Sequence, residues 1–289
     1  MAAAKTFCLV VGASPSSSVD GALPLAPVKG TGDKRGMFEV ATHLALILIL
    51  AAFCAGFIDS IAGGGGLISV PALLLAGASP VEALATNKLQ GTFGAATATL
   101  TYARAGQVRP LDQLGMAAIS AAAGAGGALI AHLIPVEALR IAMPVVLIGV
   151  AAFFALKPGL SDDASTARMK PAVFAATVVP AIAAYDGFFG PGTGSFFMMG
   201  FVLLTGHGVL KATAHTKMLN FASNIGSLLV FIPSGATWWA VGLAMAAAQV
   251  LGASLGARLA LRIGSRLIKP LLVTVSSGMA LRLLWQALG

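Results

Sequence analysis

The sequence predicts an all-α polytopic membrane protein made of two inverted repeats, each with about five helical elements. Hydrophobic residues make up 57% of the chain and charged residues only 10%, whereas about a quarter of an ordinary soluble domain is charged. Apolar runs of bilayer-crossing length recur from Thr42 almost to Gly289. An acidic residue followed by a glycine-rich segment occurs once in each half. Together these observations favour a duplicated helical membrane domain.

The composition also excludes several other classes of protein. The net charge of +8 comes from basic residues scattered through short loops, which indicates membrane topology and not a nucleic-acid partner. Cys8 and Cys54 lie in different settings, so we expect neither a disulfide framework nor a metal site. We predict no cofactor.

The chain divides into four segments by composition. Residues 1–36 are polar and rich in Ser, Pro and Gly, which predicts a disordered tail or a start-site artefact, with Met37 as the natural start. We expect membrane repeat 1 over residues 37–160, a cytoplasmic linker over 161–170 and membrane repeat 2 over 171–289.

Each repeat is predicted to contain an apolar helix ending in an aspartate, a glycine-rich break, a short apolar helix and three longer helices. This gives eight long spans and two short helices that follow the glycine breaks. In repeat 1 the helices are expected at 40–61, 66–77, 82–103, 112–132 and 136–156. In repeat 2 they are expected at 171–188, 194–205, 210–232, 238–259 and 266–287.

The duplication is supported by landmarks that recur in the same order at nearly constant spacing. Four landmarks in one order argue for duplication rather than chance. The landmark pairs, at offsets of 126 to 129 residues, are Asp59 with Asp186, Lys88 with Lys217, Gly106 with Gly235, and Arg140 with Arg266.

The loop charges predict that the two copies are inverted. If each glycine break returns the chain to the side from which it came, three net crossings remain per copy and the basic loops gather on one side. The positive-inside rule makes that side cytoplasmic. The basic residues placed there are Arg104, Arg109, Lys157, Arg168, Lys170, Lys211, Arg258, Arg262, Arg266 and Lys269. A parallel eight-span arrangement would put the cluster at 258–269 outside.

The two glycine breaks are the first candidate site. A broken helix within a bilayer is tolerated only where protein or water satisfies its free backbone groups. The short helix that follows presents free N–H groups and the positive end of its dipole, and glycines let an anion approach closely. The alternative is that the glycines only permit tight helix crossing. The residues of the predicted site are Gly63, Gly64, Gly65, Gly66, Gly190, Gly192, Thr193 and Gly194.

Two lysines inside otherwise apolar helices are the second candidate feature. Lys88 follows Thr86 and Asn87, and Lys217 follows His215 and Thr216. An intramembrane charge is costly, and an ammonium beside hydroxyl and amide donors suits an oxyanion. We therefore predict that all six residues bind substrate. In the alternative reading, the lysines snorkel to a nearby interface.

Three titratable residues are candidates for coupling transport to protons. Asp59 and Asp186 could carry protons, cap the broken helices or pair structurally with Lys88 and Lys217. His215 titrates near neutrality and occurs only in the second copy, with a packing role as its alternative. A further intramembrane polar residue, Gln249, is expected to make an interhelical hydrogen bond.

Several of these segments together resemble the TauE/SafE family of sulfite and organosulfonate exporters. They are the run from Gly56 to Gly66, the run from Pro71 to Gly77, and Ala85 to Lys88 with its echo at His215 to Lys217. The resemblance implies a multi-pass permease of the cytoplasmic (inner) membrane that exports a small sulfur-containing anion. Its partners would be that anion, the lipid bilayer and, if transport is coupled, protons. Pro191 in place of Gly64, and Thr216 in place of Asn87, depart from a symmetric site.

Other functions are alternatives to an exporter. A passive anion channel, or a permease for another small organic anion, would use the same residues. A structural membrane subunit would transport nothing. An intramembrane serine protease built on Ser195 and His215 lacks the remainder of such a site, so we do not expect an enzyme.

Overall fold

The computed structural model describes residues 42–139 and 166–264, together with isolated helical positions between 142 and 149. The described residues are α-helices and short loops, and contain no β-strand. The predicted tail (residues 1–36), most of the predicted helix at 136–156 and the predicted helix at 266–287 lie outside the described residues.

Bounds are defined for eight α-helices, which lie close to the predicted positions, and residues 136–139 belong to a further helical segment. Short 3₁₀ turns, Pro110–Gln113 and Ile232–Ser234, precede α4 and follow α7. The helices are α1 Thr42–Ala62, α2 Gly66–Leu75, α3 Pro80–Arg104, α4 Leu114–Leu133, α5 Pro171–Phe188, α6 Thr193–Thr205, α7 Val209–Phe231 and α8 Trp239–Ile263.

The lengths and composition of these helices are those of a membrane protein. Within the described residues, four segments are long and apolar enough to span a bilayer. The helices α2 and α6 are apolar but short, with 10 and 13 residues. Helices α3 and α7 are long, with 25 and 23 residues, but carry several polar side chains. The predicted all-α membrane class is confirmed. The four spanning segments are His43–Ala62, Pro110–Leu133, Pro171–Phe188 and Trp239–Ile263.

Local sequence explains where the helices next to the breaks begin and end. Gly63 and Gly64 have φ angles of +81° and +90°, which only glycine adopts readily, so α1 ends at Ala62. Helix α3 begins two residues earlier than predicted because Ser79 and Glu82 form a capping box around Pro80.

Helices α1 and α3 run in the same direction. Both pack against α8, and along each contact the residue numbers of the two helices increase in the same direction. Helix α2 and its flanking loops therefore return the chain to the side at which α1 began. The contacting pairs are Gly56 with Gln249 and Ser60 with Gly256 for α1, and Thr86 with Trp238 and Gly94 with Gln249 for α3.

The helices of the two halves are interleaved. Helix α1 packs mainly on α8, and α5 packs mainly on α4, so the first helix of each half lies against the other half. Glycines make these approaches possible, since a Cβ at Gly127 would lie 1.9 Å from the Ala184 carbonyl oxygen and one at Gly252 would lie 2.1 Å from that of Phe53. Backbone contact of this kind is typical of helix packing in membranes.

Candidate functional site

The two glycine breaks lie against each other. A Cβ at Gly63 would lie 2.3 Å from the backbone nitrogen of Ser195, and one at Gly66 would lie 3.1 Å from the Cα of Pro191. The Ser195 hydroxyl donates a 2.8 Å hydrogen bond to the Ala62 carbonyl. The last turn of α1 and the first turn of α6, 133 residues apart in sequence, are therefore joined.

A small polar cavity lies where the breaks meet. Its free volume of about 30 Å³ suits a small ion or a few waters, whereas drug-sized ligands occupy pockets of about 300–1,000 Å³. Its lining contains no aliphatic or aromatic side chain. The lining residues are Asp59, Gly64, Gly65, Gly66, Asn87, Gly91, Asp186, Gly190, Gly192, Thr193, Gly194, Asn220, Asn224 and Gln249.

The structure brings most, but not all, of the predicted site residues to this cavity. Both aspartates, Asn87, Thr193 and six of the seven predicted glycines line it. The predicted residues that do not line it are Gly63, Thr86, Lys88, His215, Thr216 and Lys217.

The two lysines pair with aspartates of the opposite half. Lys88 Nζ lies 2.8 Å from Asp186 Oδ1, and Lys217 Nζ lies 3.0 Å from Asp59 Oδ2. Each ammonium also donates to the backbone carbonyl of the same aspartate, in the last turn of the helix that precedes the break. Both lysine side chains are fully buried. Of the alternatives for the aspartates, the structure shows pairing with the lysines and, at Asp59, also a hydrogen bond from the Gly65 N–H at the glycine break.

The two ion pairs are not equivalent. The second carboxylate oxygen of Asp186 accepts a 2.5 Å hydrogen bond from the Ser223 hydroxyl, and this side chain is 5% exposed. The second oxygen of Asp59 accepts only a longer bond, 3.2 Å, from the Gly65 N–H, and its side chain is 18% exposed. Asp59 is therefore the more accessible carboxylate.

The site carries no uncompensated side-chain charge, and its free backbone donors are few because most N–H groups at the breaks already bond to nearby carbonyls or to Asp59. Two ammonium groups balance two carboxylates, so the first turns of α2 and α6 contribute the remaining positive partial charge. The carboxamide oxygen of Asn87 already accepts bonds from Ser69 Oγ and Gln90 Nε2, at 2.6 and 3.3 Å. This leaves its NH₂ group for the cavity.

Four lining residues are not among the residues predicted for the site. Asn220, Asn224 and Gln249 are polar positions in apolar helices, which is a visible signal, but only packing shows which face the cavity. Gly91 lies on α3 opposite the Asn224 carboxamide, because a Cβ at Gly91 would lie 3.3 Å from Asn224 Nδ2.

His215 lies away from the cavity, beside His207. The ring centroids of the two histidines are 4.8 Å apart, and the Phe201 ring is 5.5 Å from His215. Burial and the nearby Lys211 lower the pKa of His207, in the loop before α7. The Ser195 hydroxyl is bonded to a backbone carbonyl and not to His215, so the two residues form no catalytic dyad.

The sequence profile of one family, described as "Sulfite exporter TauE/SafE", matches residues 48–283. This range contains both glycine breaks, both lysines and all the lining residues. The chain belongs to the TauE/SafE family.

Curated relatives of this TauE/SafE protein match most of its length. A "Probable membrane transporter protein ORF9" of Sinorhizobium sp is 55% identical over 248 residues, 86% of this chain and 95% of the relative. The "Probable membrane transporter protein YfcA" of Escherichia coli K12 is 44% identical, covering 88% and 95%. A "Probable membrane transporter protein" of Haemophilus influenzae is 38% identical, covering 86% and 97%. No solved structure matches the chain.

The family settles the broad class of activity. TauE/SafE proteins are membrane transporters, so this chain is a membrane-embedded transporter and not an enzyme. The resemblance seen in the glycine and lysine segments of the sequence is confirmed.

Proposed function

We propose that this TauE/SafE transporter exports a small sulfur-containing anion, sulfite or an organosulfonate such as sulfoacetate, across the cytoplasmic (inner) membrane. The observation that carries the proposal is the meeting of two glycine breaks at one small polar cavity. Helix N-termini and glycine backbone are well suited to oxyanions. The family's description as sulfite exporters supports sulfur oxyanions among such ligands.

The lysines have an indirect role in this proposal while their ion pairs are closed. By neutralising Asp59 and Asp186, Lys88 and Lys217 remove the repulsion that two carboxylates would exert on an anion in the cavity. Direct contact of either lysine with the anion requires its ion pair to open, and stays a prediction for another state of the transport cycle. The inverted relation of the repeats and the midplane position of the site also belong to the proposal.

Sulfite transport by the purified protein is the first expected result. In proteoliposomes, we expect radiolabelled sulfite flux that saturates with concentration and is inhibited by unlabelled sulfite and sulfoacetate. Saturation follows because one small cavity holds one anion at a time. Flux assays with a panel of sulfur oxyanions and carboxylates, compared with protein-free liposomes, measure this.

Two outcomes would contradict the carrier proposal. A large unitary conductance in planar bilayers would favour the passive channel. Saturable flux of carboxylates alone, with no sulfite transport, would favour a permease for another organic anion.

Proton coupling through Asp59 is the second expected result. Asp59 lines the cavity and is more exposed than Asp186, and the charged groups around the two carboxylates are Lys217 and Lys88. We expect Asp59→Asn to abolish the acceleration of sulfite flux by an imposed pH gradient while sulfite–sulfite exchange continues. Exchange needs no net proton movement, and the single carboxamide oxygen of asparagine can still accept a hydrogen bond from Lys217, although the bond from the Gly65 N–H is then lost.

Asp186→Asn is the matched variant for this test, since Asp186 is held by both Lys88 and Ser223. It is expected to keep the response to the pH gradient. An unchanged gradient response in Asp59→Asn would refute coupling at this residue. His215, the third predicted coupling residue, lies outside the cavity, and His215→Gln is expected to leave the gradient response intact.

A further inference from the structure

Gln249 is a buried amide with no protein partner in the described part of the chain. It lies in the middle of α8, is 5% exposed and lines the cavity. Its Oε1 is buried and accepts no hydrogen bond from the described residues, and its Nε2 is not bonded to any of them either. The interhelical hydrogen bond expected from the sequence is therefore not formed among these residues. A buried amide without a partner costs free energy, so its polarity points to a ligand.

Two glycines on different helices form a slot for this side chain. A Cβ at Gly94 on α3 would lie 2.7 Å from both Cγ and Nε2 of Gln249. A Cβ at Gly56 on α1 would lie 2.5 Å from the Gln249 carbonyl oxygen and 2.7 Å from its Cγ. Neither position can carry a side chain while Gln249 stays in place. The amide is thus held between α1 and α3 and directed to the cavity.

The slot exists in only one half of the protein. At the repeat offsets of 127 and 129 residues, Gly56 corresponds to Ala183 and Gly94 to Ser223. The Ser223 hydroxyl bonds to Asp186, so this counterpart of the slot is occupied by a structural contact. An offset of 126 places Ala123 opposite Gln249, and alanine has no donor. The amide therefore makes the cavity asymmetric.

We infer that Gln249 orients the transported anion by donating from its NH₂ group to an oxygen of that anion, while its Oε1 accepts a hydrogen bond from a water bound beside the anion. Gly94 acts through Gln249 as a positioning residue. The inference rests on the proposed function, because it assigns a donor within the same anion site. A neutral amide suits a transported anion, since it binds the anion less strongly than a third ammonium would and so allows its release. Hydrogen bonds to charged groups are stronger than those between neutral groups.

The test is the saturation of radiolabelled sulfite transport by Gln249→Leu, in which the amide is replaced by an apolar group of similar size. We expect kcat/KM to fall by about tenfold to a hundredfold, which corresponds to one hydrogen bond to a charged group. Gln113→Leu is the matched control. Gln113 is 2% exposed and its amide also lacks a partner among the described residues, but it does not line the cavity. It is expected to keep the parental kcat/KM.

Two further variants separate orientation of the anion from folding. Gly94→Ala leaves Gln249 in the sequence but fills its slot, and is expected to reproduce the loss seen with Gln249→Leu. Gln249→Glu adds a negative charge at the same place, and is expected to weaken sulfite transport more than leucine does. Each protein is compared after size-exclusion chromatography in detergent, so that only folded protein is assayed.

The outcomes distinguish this inference from the proposed function. If the parental protein transports sulfite and folded Gln249→Leu and Gln249→Glu both keep its kcat/KM, Gln249 does not contact the anion. If the parental protein transports no sulfur oxyanion, the proposed function itself is wrong.

Discussion

Replacing Lys217 with methionine is expected to destabilise the protein by about 3–5 kcal/mol, as found when one partner of a buried ion pair is removed. Lys217 is fully buried and pairs with Asp59 from the other half of the chain. Methionine is close in length but leaves the carboxylate uncompensated, and it removes one of the two donors to the Asp59 carbonyl, so that only the Gly63 N–H remains. The apparent melting temperature and the denaturant midpoint of detergent-solubilised protein measure the loss.

A double-mutant cycle tests whether the pairing crosses between the halves as the structure shows. Lys217→Met combined with Asp59→Asn is expected to recover much of the lost stability, because no unpaired charge then remains buried. Lys217→Met combined with Asp186→Asn is expected to be worse than either single variant, because Asp186 belongs to Lys88. Equal rescue by the two asparagines would contradict the observed pairing.

Replacing Gly63 with alanine is the second change with a large expected effect. Gly63 has a φ of +81°, which costs an L-residue about 1–2 kcal/mol. The new Cβ would also lie 2.3 Å from the Ser195 nitrogen, and overpacking of this kind costs about 1–3 kcal/mol more. We expect a total loss of about 2–5 kcal/mol and the loss of sulfite transport, because the two breaks must move apart.

Gly77 supplies the control for backbone strain alone. Its φ is +95°, but a Cβ there would meet nothing within 4 Å. Gly77→Ala is expected to lose only the stability that backbone strain costs and to keep transport. Gly194→Ala tests steric overlap alone. Gly194 lies in α6 without a positive φ, and a Cβ there would be 2.9 Å from the Gly63 Cα. If Gly63→Ala and Gly77→Ala behave alike, contact between the breaks is not required for transport.

The helices and the breaks could be predicted because their causes are local. Long apolar runs must be helical in a bilayer, where backbone groups have no other partners. The ends of α1 and α5 follow from glycines that come shortly after an aspartate in the sequence and adopt positive φ angles in the structure. These glycines are Gly63, Gly64, Gly190 and Gly192. The resemblance to the family was also visible in the sequence, in the run from Gly56 to Gly66 and in the segments that end at Lys88 and Lys217.

The candidate site could be predicted only in part because its residues come from seven helices and the two glycine breaks. Gly64, Gly65, Gly66 and Asn87 were expected at the cavity and line it. Thr86 was expected there too, but its hydroxyl instead accepts a bond from the Trp238 N–H. Which face of a polar helix meets a cavity depends on its neighbours, and no periodicity in one helix reveals that.

By itself, the sequence determined the membrane class, the positions of the helices, the two glycine breaks and the family. These depend on the solvent that each segment requires and on backbone conformations that only glycine adopts. Tertiary structure alone decided that Lys88 and Lys217 are paired with the aspartates of the opposite half, and that Gln249 reaches the cavity between Gly56 and Gly94. An ammonium or an amide can bind any acceptor or donor within about 3 Å, and only the packing of distant helices determines which one is there.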